Sequence, residues 1–223
     1  MPPTDIEAIR RLAADARVSP ELMQYMETNV FPQYFQNDKG HQLDHVFYVI
    51  RRSLLFMEQF DRLDADMVYT IAAYHDIAHH VNKDEHEVLS AEALRSDAGI
   101  RQFFTEEQLR IMAEAIKDHR ASLAHQPRSD YGRVVSSADR STDIDAFFRR
   151  THAYSLKHYP GHTEEEHMER CYQHMQSKYG SGGYAKSYVA DNEYARFLEA
   201  IQRLLANKEA FMEKYRAITG RQQ

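Results

Sequence analysis

Ala72-Ala73-Tyr74-His75-Asp76-Ile77-Ala78-His79-His80 is the stretch on which the reading of this chain turns. An apolar run, Ile71-Ala72-Ala73, leads directly into an adjacent His-Asp pair, with two more histidines behind it. The dipeptide alone says little. With 13 His and 16 Asp in 223 residues, chance supplies about one such pair, and the chain has one. Context gives it weight. His45 lies at the edge of an apolar face formed by Leu43, Phe47, Ile50, Leu54 and Met57, spaced as on a helix. Asp139 follows Val135 by four residues, and His119 follows Met112 and Ile116 by seven and three. A carboxylate on an apolar helix face is costly unless it is paired or bound to a metal. Nitrogen and carboxylate donors from separate helices are how a helical bundle holds a hard-to-borderline cation.

Outward from that stretch the chain reads as helix after helix. Thr4-Asp5 can cap a helix over 5–16, and Ser19-Pro20-Glu21 opens another with Ser at the N-cap and Pro at the first turn. Periodicity predicts helices over 41–60, 65–79 and 85–96. Thr105-Glu106-Glu107-Gln108 is a capping box for a helix reaching Arg120, and Thr163-Glu164-Glu165-Glu166 is one for a helix reaching Lys178. Further helices are expected over 134–150 and 191–218. No segment alternates with period two, and no repeat or linker divides the chain. The expectation is an all-α protein, one helical bundle domain over 1–223.

Composition narrows the function classes. Charged residues make up 28% and apolar residues 43%, with 8 Gly and 6 Pro, as for a soluble chain of long helices. A net charge of −6 disfavours a nucleic-acid polymer or an anionic membrane as partner. No run of 18 apolar residues is long enough for a membrane span. The start, Met1-Pro2-Pro3-Thr4-Asp5, lacks the features of a signal peptide, so a cytoplasmic location is the expectation. A single cysteine, Cys171, excludes an internal disulfide and a Cys-based zinc site.

The order His45, His75-Asp76, Asp139 on helical segments resembles the HD-domain superfamily of metal-dependent phosphohydrolases, whose signature is His…His-Asp…Asp on an all-helical fold. Glu85-His86-Glu87-Val88-Leu89-Ser90-Ala91 and Ile116-Lys117-Asp118-His119 are similar to the segments that follow the His-Asp pair in many members. The resemblance spans about residues 41–145 and leaves the helix after Glu164 outside. It implies that His45, His75, Asp76 and Asp139 hold a divalent metal ion. With no Cys ligand, Mn, Fe, Co, Zn, Ni and Mg all remain open. Superfamily members with two metals use two additional histidines, for which His86 and His119 are the candidates. His86 follows Asp76 by only ten residues, closer than such members usually show, which argues against a dinuclear site and leaves one or two ions open. His119 is otherwise a substrate contact.

The resemblance also implies chemistry. A cation so held makes hydroxide available from water near neutral pH and polarises a phosphoryl oxygen. Asp76 orients the nucleophile in relatives, and His79 is a candidate phosphate contact or acid. Lys83, Arg120 and Arg140 are the candidate clamp for phosphate oxygens, with Arg128 and Arg133 nearby in sequence. His41, His80 and His125 read as bystanders, and the histidines at 152, 158, 162, 167 and 174 as solvated. The Gly/Tyr/Lys-rich stretch 178–188 reads as a helix connection that could alternatively close over a substrate; it lacks the spacing of a P-loop. The implied function is metal-dependent hydrolysis of a small phosphoester, with a nucleotide as leading substrate candidate and a homo-oligomer left open. The alternatives are a dinuclear iron oxygenase on the same fold and a non-catalytic metal-binding signalling module. No acidic pair follows His75-Asp76 of the kind guanosine tetraphosphate hydrolases use.

Overall fold

The computed structural model describes residues 6–38 and 40–220; the expected cap at Thr4-Asp5 lies outside them. Among the described residues there are eleven α-helices and no strand. They group into two compact units, one running through Asp139 together with Ser187–Ala190, the other comprising Arg140–Lys186 and the chain from Asp191 onward.

In the first unit, α1 (Ile6–Asp15) and α2 (Pro20–Tyr25) precede α3 (Leu43–Phe56), α4 (Ala65–Tyr74), α5 (His86–Ser96), α6 (Glu106–Lys117) and α7 (Asp130–Ala138). The helix signals hold locally. Pro20 sits in the first turn of α2, Asp64 accepts from the Met67 amide at 3.1 Å to start α4, and Thr105 with Gln108 forms the capping box of α6. The core is built around α4. All its residues from Met67 to Tyr74 are buried, and it packs against α3, α6 and α7, while α5 packs on α6. On α3, Val46, Phe47, Val49, Ile50 and Leu54 are buried, which includes most of the apolar face expected from spacing. Between α2 and α3 the chain continues as a π-helical segment, Met26–Val30, and a 3₁₀ segment, Phe31–Gln36.

Three expected boundaries are corrected. The helix expected over 65–79 stops at Tyr74. Its last carbonyls are taken by side chains: Ala72 O accepts from His75 Nδ1 at 2.8 Å and Ala73 O from the Tyr34 hydroxyl at 2.7 Å. The chain then winds on through i to i+3 turns, with Ile77 N donating to Tyr74 O and His79 N to Asp76 O. The helix expected over 134–150 is two, α7 and α8 (Ile144–His158). Each has its own cap: Ser129 accepts from Gly132 N and Asp143 from Ala146 N. The helix expected over 191–218 is likewise two, α10 (Asn192–Leu205) and α11 (Lys208–Thr219), divided where Asn207 caps α11 by accepting from Ala210 N.

The second unit consists of α8, α9 (Glu164–Tyr179), α10 and α11. Phe148, Cys171, Met175, Phe211 and Tyr215 are buried in it. Two histidines expected to be solvated are instead internal. His152 Nδ1 meets the Tyr215 hydroxyl at 2.5 Å and His167 Nδ1 meets the Ser155 hydroxyl at 2.7 Å, so each buried ring has a polar partner. Burial pushes the Cys171 thiol up to about 12, so it is a packing residue. After α9 the stretch 180–185 is tied back to the helix end by Ala185 N donating to Lys178 O at 3.0 Å, with Gly182 at φ +78 in its turn.

Asp97 closes α5 and concentrates four hydrogen bonds: it accepts from Tyr25 OH at 2.5 Å, Tyr74 OH at 2.6 Å, Gly99 N at 2.9 Å and Ile100 N at 3.2 Å. Gly99 has to be glycine, because a Cβ there would overlap the Tyr25 ring. Burial works against the Asp97 carboxylate, but the tyrosine and amide donors outweigh it and lower its pKa. A depressed folded-state pKa contributes stability that is present above the ordinary carboxylate value, about 3.9, and is lost as pH falls through the folded value. Asp97→Asn is therefore expected to cost about 1–3 kcal/mol at neutral pH. Urea unfolding at a series of pH values should find that gap narrowing toward acid; a constant gap would remove the carboxylate from this role.

Candidate metal centre

His75 and Asp76 lie in the turns beyond α4, and their positions are fixed from Asn37. This buried side chain donates from Nδ2 to Asp76 O at 2.9 Å and accepts at Oδ1 from His80 N at 2.9 Å. His45 comes from the first turn of α3, His86 from the first residue of α5, His119 from just beyond α6, and Asp139 from the residue that ends α7.

Six side chains converge here in two sets that share Asp76. In the first, His45 Nε2 lies 3.1 Å from His75 Nε2, 3.2 Å from Asp139 Oδ1 and 3.4 Å from Asp76 Oδ2. In the second, His86 Nε2 lies 3.1 Å from His119 Nε2, and Asp76 Oδ1 lies 3.2 Å and 3.4 Å from those two nitrogens. Each carboxylate oxygen of Asp76 thus faces a different histidine pair. His45, His75 and Asp76, and separately Asp76, His86 and His119, are close enough to share an ion.

Proton positions test whether a cation fits. The Nδ1 atoms of His75, His86 and His119 stand 2.8, 2.8 and 2.7 Å from the carbonyls of Ala72, Lys83 and Ile116. A carbonyl only accepts, so Nδ1 carries the proton and, in a neutral ring, Nε2 presents a lone pair. Lone pairs of His86 and His119 then face each other across 3.1 Å beside Asp76 Oδ1, which is buried and accepts no hydrogen bond. Only positive charge between them relieves that repulsion, so the donor set fits a divalent cation.

The electrostatics agree. Burial disfavours ionised Asp76, but the surrounding histidines, His75 foremost, hold it well below the usual carboxylate range. Burial also disfavours charged His45, yet contacts with Asp139 and Asp76 raise it to about 9. Asp139 is held low by His45 against its own burial.

The short spacing between Asp76 and His86 puts a dinuclear site in doubt, yet the structure brings His86 and His119 together beside Asp76 as a second donor set. The spacing suffices because the chain passes through tight turns over 75–85, and α5 starts with His86 Nε2 already 3.2 Å from Asp76 Oδ1. His41 is not a bystander. It stacks on His79 with ring centres 3.7 Å apart, and Asp38, His41 and His79 form a third group able to hold a metal. Burial and His41 lower the His79 pKa to about 4, which favours the neutral ring near pH 7. Lys83 is 59% exposed at its side chain and sits 3.2 Å from Asp38 at the edge of this group.

The expected arginine clamp is engaged elsewhere. Arg120 donates to Asp84 O at 2.7 Å and pairs with Glu87 at 3.2 Å, which anchors the start of α5 and with it His86. Arg128 pairs at 2.7 Å with buried Asp118, the neighbour of His119, and Arg133 with Asp130 at 2.7 Å. Arg140 is buried and donates from Nε to Lys186 O at 3.0 Å. His125 is exposed, with Nδ1 at 2.8 Å from Gln126 O, while His80 is held against Asn37. The contribution of Asn37 went unread in the sequence, where a lone Asn among polar residues carries no motif.

The fold and site define a helical protein with paired His/Asp cation sites. The HD domain family model matches residues 43–142, and this part of the chain is an HD domain. Among solved structures, the chain is similar to a protein named as a predicted HD superfamily hydrolase from an uncultured Thermotogales bacterium, with 18% identity, 90% of this chain and 91% of that one covered, and a TM-score of 0.42. No curated protein matches the chain.

Elemental analysis of protein purified without chelators or a metal-binding tag is expected to give two divalent ions per chain, one for each of the two donor sets that share Asp76; in the third group Asp38 is already paired with His41 and Lys83. His86→Ala should retain one, and Asp76→Ala, which removes the shared carboxylate, should retain none while circular dichroism stays helical. Full metal content in Asp76→Ala would rule out the shared-carboxylate arrangement.

Proposed function

We propose that this chain hydrolyses a small phosphate ester, with a nucleotide as leading substrate candidate, at a divalent-cation centre formed by His45, His75, Asp76, His86, His119 and Asp139. The observation that carries the reading is Asp76, one buried carboxylate facing a histidine pair on each side. When bound, the cations supply Lewis acidity toward a phosphoryl oxygen and lower the pKa of water.

The chain's own groups do the rest. The i−3 carbonyls fix the proton on Nδ1 of His75, His86 and His119, so the three rings are held in the ligating tautomer before substrate arrives. Asp76 supplies negative charge to both sets and orients the attacking group between them. Neutral His79 and the ammonium of Lys83 are the candidate contacts for phosphate oxygens at the edge of the centre. The net charge of −6 suits a small metal-coordinating substrate better than a nucleic-acid polymer. No helix among the described residues is long and apolar enough to cross a membrane.

The same two donor sets favour a second reading, a dinuclear iron oxygenase, since nitrogen and carboxylate ligands also suit iron.

The reading is tested by phosphate release from p-nitrophenyl phosphate and a panel of nucleotides, with Mn, Co, Ni, Zn, Mg or Fe supplied after chelation. Activity should return with metal and fall by at least about 10²-fold in Asp76→Asn. Lys83→Ala should raise KM several-fold with kcat less affected, as expected for loss of a binding contact. Dioxygen uptake by the iron-loaded protein, without phosphate release from any substrate, would move the assignment to the oxygenase.

A further inference from the structure

The second unit contains a cavity of about 460 Å³ between α8 and α9, within the size range of small-molecule sites and sharing no residue with the metal centre. Its walls follow helical spacing. Phe147, Arg150 and Tyr154 come from one face of α8, and Arg170, His174 and Lys178, at i, i+4 and i+8, from one face of α9. Thr151 and Ser155 add hydroxyl groups, and no carboxylate lines it. Three permanent cations in one cavity are conspicuous in a chain of net charge −6.

Two features separate this cavity from an ordinary solvated basic face. Charge is sorted across α9: Glu165, Glu166 and Glu169 line a different cavity, and Glu169 pairs with Lys208 at 2.7 Å. On α8, Asp145 is paired with Lys214 at 2.8 Å. The second feature is Arg170. Its guanidinium lies 3.5 Å from the centre of the Tyr159 ring, and its Nε is buried without a hydrogen-bond partner. The aromatic surface is arranged as well. Phe147 stacks on His174 with centres 5.5 Å apart and planes at 10°, and Tyr154, 53% exposed, stacks on His158 at 4.1 Å. Burial, Lys178 and Arg170 all lower the His174 pKa, consistent with a positive interior.

We propose that the cavity between α8 and α9 is a second ligand site, which binds a phosphorylated molecule carrying a flat ring. Arg150, Arg170 and Lys178 take the phosphate, and the ring lies against Phe147, His174 or Tyr154. Arginine suits phosphate through paired N–H donors, and stacking on aromatic faces is sequence-independent chemistry open to any planar base.

The chain has no tryptophan, so Tyr154→Trp places a single tryptophan at the cavity, read by excitation at long wavelength where tyrosine does not absorb. AMP is expected to change its emission saturably, with adenosine and inorganic phosphate each at least tenfold weaker, because each supplies only half of the recognition. Sodium chloride should weaken AMP binding. Adding Arg150→Gln and Lys178→Gln in the same background should weaken AMP at least tenfold with helicity unchanged. Arg170→Gln is the third arm, kept separate because Arg170 also packs on Tyr159. No saturable response up to about 1 mM AMP, or an unchanged response in the Arg150→Gln, Lys178→Gln protein, would overturn the proposal. The signal is local to residue 154 and needs no turnover, so it stands or falls independently of the hydrolase assignment.

Discussion

The first unit is organised around one electrostatic demand, the ionised carboxylate of Asp76 in a buried position. Removing such a charge from water costs several kcal/mol even after relaxation. The four imidazoles around it offset that cost only when positive charge sits between nitrogen and oxygen, as protons or as metal ions. That requirement accounts for why Nδ1 of three rings is committed to backbone carbonyls and Nε2 is left to face inward. It also accounts for the elevated proton affinity of His45, which takes a proton where a cation would otherwise stand.

The surrounding fold serves that arrangement at the places where helices stop. Asp76 and His75 follow the end of α4, His119 follows α6, Asp139 ends α7 and His86 begins α5. A donor at a helix end can turn its side chain toward a common point, which two adjacent residues within a continuous helix, about 100° apart, do less readily. Asn37 and Tyr34 bring this about by taking backbone groups that would otherwise continue α4. Arg120 with Glu87, and Arg128 with Asp118, hold the segments bearing His86 and His119, so the cations expected to grip a substrate act one layer behind the ligands.

These contacts mark what could be read from sequence. Helical periodicity and capping boxes located most helices, because those signals are local: Asp64, Thr105 and Thr163 act as caps within four residues of the amides they satisfy. The breaks at Asp143 and Asn207 are equally local: apolar residues continue across Asn207, from Leu204 and Leu205 to Ala210 and Phe211, whereas Asp143 closes the polar run 139–143. The convergence of His45, His75, Asp76 and Asp139 was legible from their order. The second donor set is harder to see in the sequence, because spacing measures chain length and not direction, and turns run over 75–85. The stacking of His41 on His79 and the internal hydrogen bonds of His152 and His167 depend on partners far along the chain or on rotamers, which no pattern encodes.

A neutral His79 beside a mobile-length cation, Lys83, also bears on what the centre can accept. At neutral pH the His41–His79 stack contributes no net charge of its own, and Asp38 is satisfied by His41 and Lys83. The edge of the centre is therefore close to electrically balanced before substrate binds, so beyond the Lys83 contact most attraction for an anionic group would come from ions held between the histidine pairs. If the proposed phosphate ester is the substrate, its affinity is then tied to metal occupancy. That coupling follows from where the arginines are committed: with Arg120 and Arg128 held by Glu87 and Asp118, the chain keeps little permanent positive charge at the centre that could bind an anion in the metal's place.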